Sequence, residues 1–161
     1  MEIPVYLFTG FLESGKTTFI QDILEGSDFN AGERTLLLMC EQGIEELDES
    51  KFFTKDNIFC EYIESRDELN PGHLSELQKK HRVERVVIEY NGMWMMQDLF
   101  RNMPQDWIIS QEVTFADVSV FINYNENMRQ LVFDKLKTAD LVVFNRCVHG
   151  FDKLKFHKIV R

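Results

Sequence analysis

Short apolar segments recur along the chain at intervals that suit buried strands. Five of them are continuous rather than alternating and are rich in Val, Ile and Phe: residues 3–8, 34–40, 85–90, 118–122 and 141–144. Strands have this pattern when a parallel sheet is covered on both faces. A sixth segment, residues 57–63, is weaker and more alternating. The pattern predicts a mainly parallel sheet of five or six strands.

Segments with helical spacing lie between the apolar ones and cover residues 15–26, 70–81, 93–104 and 125–139. Gly26 suits a C-terminal cap, and Asn70 followed by Pro71 is a typical helix start. Strands that alternate with helices indicate crossover connections, so we predict an α/β fold with helices flanking the sheet. Residues 42–56 are polar, acidic and without a period, which predicts a long loop.

Length and charge narrow the class of protein. The chain has 161 residues, which suits one domain, residues 1–161, and its formal net charge is −9. A chain this acidic is a poor partner for nucleic acid. No apolar run approaches a membrane span, and the N-terminus has no basic leader, so we expect a cytoplasmic protein with no membrane partner. Three scattered cysteines, at positions 40, 60 and 147, favour a reducing compartment over a disulfide framework.

The most informative stretch is residues 10–17, which fits the phosphate-binding pattern G-x-x-x-x-G-K-[ST]. It follows an apolar strand and opens a helix, the setting that a P-loop requires. Gly10 and Gly15 allow the backbone to curve around phosphates, while Lys16 reaches the outer phosphates and Thr17 offers a hydroxyl to Mg²⁺. Further residues expected to bind nucleotide are Glu13 and Ser14 within this stretch and Thr18 directly after it. The alternative is a glycine-rich turn that only connects strand to helix.

Besides the Thr17 hydroxyl, the metal ion needs a carboxylate, and Glu89 is a candidate. It ends the apolar segment 85–90, with Gly92 three residues on. Ligands bind at the carboxyl ends of strands in open α/β sheets, so Glu89 is predicted to bind Mg²⁺, directly or through water, or to polarise the attacking water. The alternative is a surface carboxylate at the end of a strand.

Together these motifs resemble the CobW-type family of P-loop GTPases, related to HypB and UreG. Residues 39–48, MCEQGIEELD, resemble the family's Asn-Glu-x-Gly-x-x-x-x-Asp segment, with Cys40 in place of Asn; Glu89 and Gly92 match Glu-x-x-Gly. Residues 138–146, TADLVVFNR, resemble the strand that leads into the guanine-reading motif. The resemblance covers the whole chain and rests on the order and spacing of the four pieces.

The resemblance implies a P-loop domain that binds GTP or GDP with Mg²⁺ and hydrolyses GTP slowly, acting as a switch or in metal delivery. It implies that Glu41 and Asp48 sense the metal ion or the γ-phosphate, whereas composition alone makes residues 41–50 a solvated loop. It also implies that Asn145 and Arg146 contact the base. Implied partners are a client metalloprotein or a following C-terminal domain, and an oligomer is compatible with them.

Two positions depart from the family pattern. The family's Cys-x-Cys-Cys is absent, and the corresponding region carries only Cys60, whereas soft-metal sites need several such ligands. The guanine motif Asn-Lys-x-Asp appears as Asn145-Arg146-Cys147-Val148, so a valine stands where a carboxylate would accept hydrogen bonds from guanine. The sequence therefore leaves the choice between GTP and ATP open.

Two other functions remain open. An ATP-dependent small-molecule kinase would need an acceptor pocket and lid arginines, for which the sequence offers Arg66 and Arg101. A non-catalytic nucleotide-binding interaction module would suit the altered guanine motif. Relatives of this type continue into another strand, a helix and a second domain, so we expect that residues 1–161 are the nucleotide-binding part of a longer protein.

Overall fold

A computed structural model of the chain, which describes residues 1–147 and 152–160, shows six strands in one parallel sheet. In chain order they are β1 (Ile3–Gly10), β2 (Thr35–Met39), β3 (Ile58–Tyr62), β4 (Arg85–Glu89), β5 (Trp107–Asp117) and β6 (Leu141–Asn145). Their order across the sheet is β3-β2-β4-β1-β5-β6. β1 lies in the middle, so the loop after it opens at the point where the crossover connections change direction, the usual ligand-binding position in such sheets.

The helices of the described residues are α1 (Lys16–Glu25), α2 (Pro71–His81), α3 (Met96–Asn102), α4 (Val118–Asn127), α5 (Arg129–Leu136) and α6 (Lys153–Val160). Two short 3₁₀ turns cover Glu49–Lys51 and Arg66–Glu68. The predicted α/β fold is confirmed. Asn70 caps α2 as predicted, since its Oδ1 accepts a hydrogen bond from the His73 N–H at 2.8 Å. No helix within residues 1–147 and 152–160 is long and apolar enough to cross a membrane.

The strands are continuous in apolar residues because alternate side chains enter two different cores. In β2, Leu36 and Leu38 join the cluster that contains Leu74 and Leu77 of α2. Leu37 lies on the other face, in the cluster that contains α1 side chains Ile20 and Leu24. A third cluster lies around α4, α5 and α6 and includes Phe121, Val132 and Phe156. Helices therefore cover both faces of the sheet.

The predicted strand over residues 118–122 is wrong. These residues begin α4, whose N-cap is Asp117, with its Oδ1 accepting from the Ser119 N–H at 2.9 Å. The strand lies just before, at Trp107–Asp117, and was missed because polar residues interrupt it. A short apolar run does not by itself distinguish a strand from the first turns of a buried helix.

The other predicted boundaries are close to those observed, with two differences. The helix predicted over 93–104 is shorter and begins at Met96. The helix predicted over 125–139 is divided, since α4 ends at Asn127 and α5 begins at Arg129. Residues 42–56 form a loop with one 3₁₀ turn, held to the body by buried Phe52.

Candidate functional site

The segment from the last residue of β1 to the start of α1 contains three residues with positive φ: Gly10 at 132°, Glu13 at 63° and Gly15 at 107°. A Cβ on Gly10 would lie 2.3 Å from the carbonyl oxygen of Phe115 in β5, so this position requires glycine. α1 begins at Lys16, directly after Gly15, and the first N–H groups of a helix attract anions. The structure therefore has the strand–loop–helix arrangement that a phosphate-binding loop needs.

Lys16 is the most enclosed charged group of this loop, with 2% of its surface exposed. Its Nζ donates to the Gly10 carbonyl oxygen and to Glu41 Oε1, both at 2.5 Å. The other carboxylate oxygen of Glu41 accepts from the Gly92 N–H at 2.9 Å. Glu41 therefore joins the loop to the segment after β4.

Thr17 and Glu89 meet on the other side of the loop. The Thr17 hydroxyl donates to Glu89 Oε1 at 2.7 Å. Glu89 is buried, and its Oε2 has no hydrogen-bond partner among the described residues. Burial raises the pKa of Glu89, although the bond from Thr17 and the charge of Lys16 act in the opposite direction. A hydroxyl beside an unpartnered carboxylate oxygen is a donor set that suits Mg²⁺.

Asn145 and Arg146, at the end of β6, lie against the same loop. Asn145 Nδ2 donates to the Ser14 carbonyl oxygen at 3.4 Å, and Arg146 Nη1 donates to the Glu13 carbonyl oxygen at 2.6 Å. A Cβ on Gly15 would lie 2.3 Å from Asn145 Nδ2. The end of β6 and the phosphate-binding loop are thus fitted to each other. Val148 lies outside the described residues.

Asp117, which no sequence motif singles out, holds Arg146 in place. Its Oδ2 accepts from Arg146 Nη1 at 2.5 Å, and Asp117 and Asn145 are paired residues of β5 and β6. Although burial acts to raise the pKa of Asp117, hydrogen bonds from Ser119 and Arg146 outweigh it and hold the pKa below its usual range. Placing the strand correctly at 107–117 would have revealed a carboxylate at the functional edge of the sheet.

The pocket formed by these elements encloses about 40 Å³, room for only a few water molecules. Its lining residues are 12–18, Glu41, Gly43, Glu45, Glu89, Asn145 and Arg146. The structure thus brings together the predicted site residues Glu13, Ser14, Gly15, Lys16, Thr17, Thr18, Glu41, Glu89, Asn145 and Arg146, and Gly10 begins the loop. Four carboxylates face only two cationic side chains there.

Of the predicted site residues, Gly10 and Asp48 do not line this pocket, and Asp48 lies away from the phosphate-binding loop. Asp48 has other contacts. Its side chain caps the 3₁₀ turn, with Oδ1 accepting from the Ser50 N–H at 3.1 Å. Its backbone N–H donates to Gln21 Oε1 at 2.9 Å, on the outer side of α1. Glu45, from the same acidic segment, lines the pocket instead. The acidic run did not indicate which of its carboxylates reaches the site.

A sequence model of the family described as "CobW/HypB/UreG, nucleotide-binding domain" matches residues 4–149. The chain belongs to this family. The matched range runs from β1 past Arg146 and contains every site residue described above. The fold and the family resemblance predicted from the sequence are both confirmed.

Two individual proteins illustrate the likeness. The chain is 25% identical over 186 residues to the zinc chaperone CobW from Sinorhizobium sp, covering 90% of this chain and 51% of that protein. The crystal structure of the Zn(II)-bound YjiA GTPase from E. coli matches with a TM-score of 0.66 and 21% identity, over 99% of this chain and 54% of that one. At this identity the structural match shows the shared fold alone. The chain spans about half the length of each.

Cysteines of this CobW-family domain are dispersed. Cys40 is buried at the end of β2, and burial raises the pKa of its thiol far above the usual range. Burial also raises the pKa of Cys60, in β3, to about 11. Thiols that stay protonated are poor metal ligands. Within residues 1–147 and 152–160, no group of three or more His, Cys, Asp or Glu side chains is arranged to hold a metal ion.

Proposed function

We propose that this domain is a Mg²⁺-dependent GTP-binding switch that hydrolyses GTP slowly. The observation that carries the proposal is the convergence of Lys16, Thr17 and Glu89 on one loop, with Asn145 and Arg146 bound to its rim. The family match supports nucleotide binding. Beyond nucleotide binding, we propose that the nucleotide is GTP, that the metal ion is Mg²⁺ and that the bound GTP is hydrolysed.

Charge supports a requirement for a divalent cation. Four carboxylates and two cationic side chains line the pocket, so a nucleoside triphosphate entering it adds negative charge to an acidic site. The unpartnered Oε2 of Glu89 and the Thr17 hydroxyl are the groups that would hold Mg²⁺. When bound, Mg²⁺ would neutralise phosphate charge as the leaving group departs.

The protein's own groups would act mainly by positioning and charge. Backbone N–H groups at the start of α1 would bind phosphate oxygens, and Lys16 would bind the outer phosphates. Glu89 would hold or orient a water molecule at the end of β4. Arg146, fixed by Asp117 and by the Glu13 carbonyl oxygen, would lay its side chain along the base.

Glu89→Gln is expected to retain nucleotide binding. Because the carboxylate charge is lost, the effect of Mg²⁺ on nucleotide affinity should fall by roughly tenfold, and hydrolysis should be slower. Glu112→Gln is a matched control: Glu112 is also a buried glutamate that accepts from a threonine hydroxyl, that of Thr138, at 2.7 Å. Magnesium titrations of nucleotide binding and phosphate-release rates would compare the two variants. Equal effects in both would reduce Glu89 to a structural residue.

Base selectivity is expected to be weaker than in a GTPase with an intact Asn-Lys-x-Asp. Asp152, the nearest downstream carboxylate, accepts from the Leu154 and Lys155 N–H groups at the start of α6 and is thereby engaged. Without a charged acceptor, roughly 1.5–3 kcal/mol of discrimination is lost, or about ten- to a hundredfold. Val148→Asp should restore it. Affinities for GTP, ITP and ATP test this, and a natural preference for GTP over ITP above about a hundredfold would contradict it.

The kinase alternative has one observation in its favour, a neighbouring cavity of about 600 Å³ lined in part by Leu12, Tyr62 and Met93. However, neither Arg66 nor Arg101 lines the phosphate pocket. On the surface, Arg66 Nη1 lies 3.7 Å from Asp98 Oδ2.

Nucleotide competition with a phosphate-release assay separates the switch, the kinase and the interaction module. Preference for GTP with phosphate release supports the switch, ATP preference without release supports a kinase, and binding without turnover supports an interaction module.

Metal delivery to a client metalloprotein is the activity that the name of the zinc chaperone relative suggests. The cysteines are dispersed, and within residues 1–147 and 152–160 they form no ligand cluster that would add support for it in this chain. The proposal is therefore limited to the nucleotide switch, and a zinc-binding measurement by competition with a chromogenic chelator would decide whether metal delivery belongs to it.

A further inference from the structure

The Glu41 side chain occupies an unusual place between two parts of the site. Its exposed fraction is 8%, and its two oxygens are held by donors from different segments, Lys16 Nζ at 2.5 Å and the Gly92 N–H at 2.9 Å. An anion with two oxygens that bridges a P-loop lysine and a backbone N–H has the same donor requirements as a phosphate group.

Lys16 has no donor left for phosphate in this arrangement. An ammonium group has three N–H donors, and its Nζ lies 2.5 Å from the Gly10 carbonyl oxygen, 2.5 Å from Glu41 Oε1 and 3.4 Å from the carbonyl oxygens of Phe11 and Tyr90. A γ-phosphate that binds Lys16 therefore has to displace one of these contacts.

Gly92 is held close to the loop in the same arrangement. A Cβ at this position would lie 2.5 Å from the Gly10 carbonyl oxygen and 2.7 Å from the Phe11 Cα. In the segment that follows Glu41, the Ile44 N–H donates to Glu13 Oε1 of the phosphate-binding loop at 2.8 Å. Two carboxylates, those of Glu41 and Glu13, thus hold three segments against each other: the phosphate-binding loop, residues 41–44 and the turn at Gly92.

We propose that the Glu41 carboxylate is an internal substitute for the terminal phosphate and sets the preference of this domain between nucleoside triphosphate and diphosphate. The proposal rests on the function proposed above. The P-loop lysine binds the outer phosphates. The group that competes with Glu41 for Lys16 is therefore the γ-phosphate of a triphosphate, which a diphosphate lacks. A triphosphate must displace Glu41 and thereby release residues 41–44 and Gly92 together, whereas a diphosphate leaves the bridge in place.

Removing the charge of Glu41 distinguishes this bridge from an ordinary structural ion pair. Deleting one partner of a static buried pair leaves the other uncompensated and only destabilises the fold. If Glu41 is instead a competitor, removing its charge leaves Lys16 in need of an anion, and the terminal phosphate supplies one. Triphosphate affinity should then rise although a charged contact has been lost.

The test compares Glu41→Gln with the natural chain in Mg²⁺, using calorimetry with GDP and with a non-hydrolysable GTP analogue. The expected result is a rise of roughly tenfold in affinity for the GTP analogue, with the GDP affinity changed much less. Glu46→Gln is the matched control, since it removes a carboxylate from the same segment, but Glu46 is exposed and does not line the phosphate pocket, so the bridge to Lys16 stays intact. It should leave the ratio of the two affinities unchanged.

Glu41→Asp provides a second variant that keeps the charge, but its shorter side chain cannot span both donors. It should also raise the ratio of triphosphate to diphosphate affinity, and it keeps the proposal testable if the glutamine variant does not fold. Unchanged ratios in both variants, or a fall in triphosphate affinity with a loss of Mg²⁺ dependence, would overturn the inference and make Glu41 a static contact or a metal ligand. If even the natural chain binds neither nucleotide, the proposed function fails and this inference with it.

Discussion

Lys16→Ala is expected to lower affinity for nucleoside triphosphate by roughly a hundredfold or more. A hydrogen bond to a charged group contributes about 1.5–3 kcal/mol, which corresponds to about ten- to a hundredfold in affinity, and Lys16 can contact more than one phosphate oxygen. Calorimetry with a GTP analogue and Mg²⁺ is the measurement. If Lys16→Ala retained micromolar affinity for the GTP analogue, the assignment of residues 10–17 as a P-loop would be contradicted.

The same variant should also be less stable, because Lys16 is buried and paired with Glu41. Alanine leaves the Glu41 carboxylate enclosed without its cation, and breaking a buried pair in this way costs about 3–5 kcal/mol. A double variant, Lys16→Ala with Glu41→Gln, is the control. It removes both charges, so it should recover much of the lost stability without recovering nucleotide binding, which separates the two effects of the lysine.

Gly10→Ala is expected to lower the free energy of unfolding by about 2–6 kcal/mol, the sum of backbone strain and overpacking. Gly10 has φ +132°, and its added Cβ would lie 2.3 Å from a backbone oxygen of the adjacent strand β5, which cannot move aside like a flexible side chain. Total stabilities are only about 5–15 kcal/mol, so the variant is expected to be marginal. Equilibrium denaturation with urea measures the effect.

Gly26→Ala is the matched control for this prediction. Gly26 comes directly after α1 with φ −89°, and a Cβ there would lie no closer than 3.8 Å to its neighbours. Alanine fits this conformation and should be neutral or stabilise slightly, by about 0.4–1 kcal/mol. Equal stabilities of Gly10→Ala and Gly26→Ala would mean that the first glycine of the loop is not required by its geometry.

Local patterns were sufficient to predict the phosphate-binding loop and the strands of the described sheet other than β5. Leu36, Leu37 and Leu38 are adjacent in sequence and lie in two different cores, so an unbroken apolar run was informative about burial on both faces. The spacing of the glycines and Lys16 is typical of a phosphate-binding loop between a strand and a helix. Such features depend on neighbouring residues, and the sequence expresses them directly.

The features that the sequence did not reveal depend on contacts between distant segments. Glu41 meets Lys16 and Gly92 only because β2, β1 and β4 are adjacent in the sheet. Asp117 supports Arg146 because β5 pairs with β6. The sequence pattern places this strand at residues 118–122 because β5 contains polar residues. In the fold these polar residues have partners from other segments, as when Glu112 accepts from Thr138, which lies in the turn between α5 and β6. Pairings of this kind are properties of the fold.

We propose that this CobW-family domain binds GTP with Mg²⁺ through Lys16, Thr17 and Glu89. The most direct test is equilibrium binding of GTP, GDP, ATP and ADP, each with Mg²⁺ and with excess EDTA, on the natural full-length chain. The account predicts that GTP and GDP bind, and that removing Mg²⁺ weakens GTP binding by roughly tenfold or more. Binding of none of the four nucleotides, or GTP affinity that is the same in Mg²⁺ and in EDTA, would contradict it.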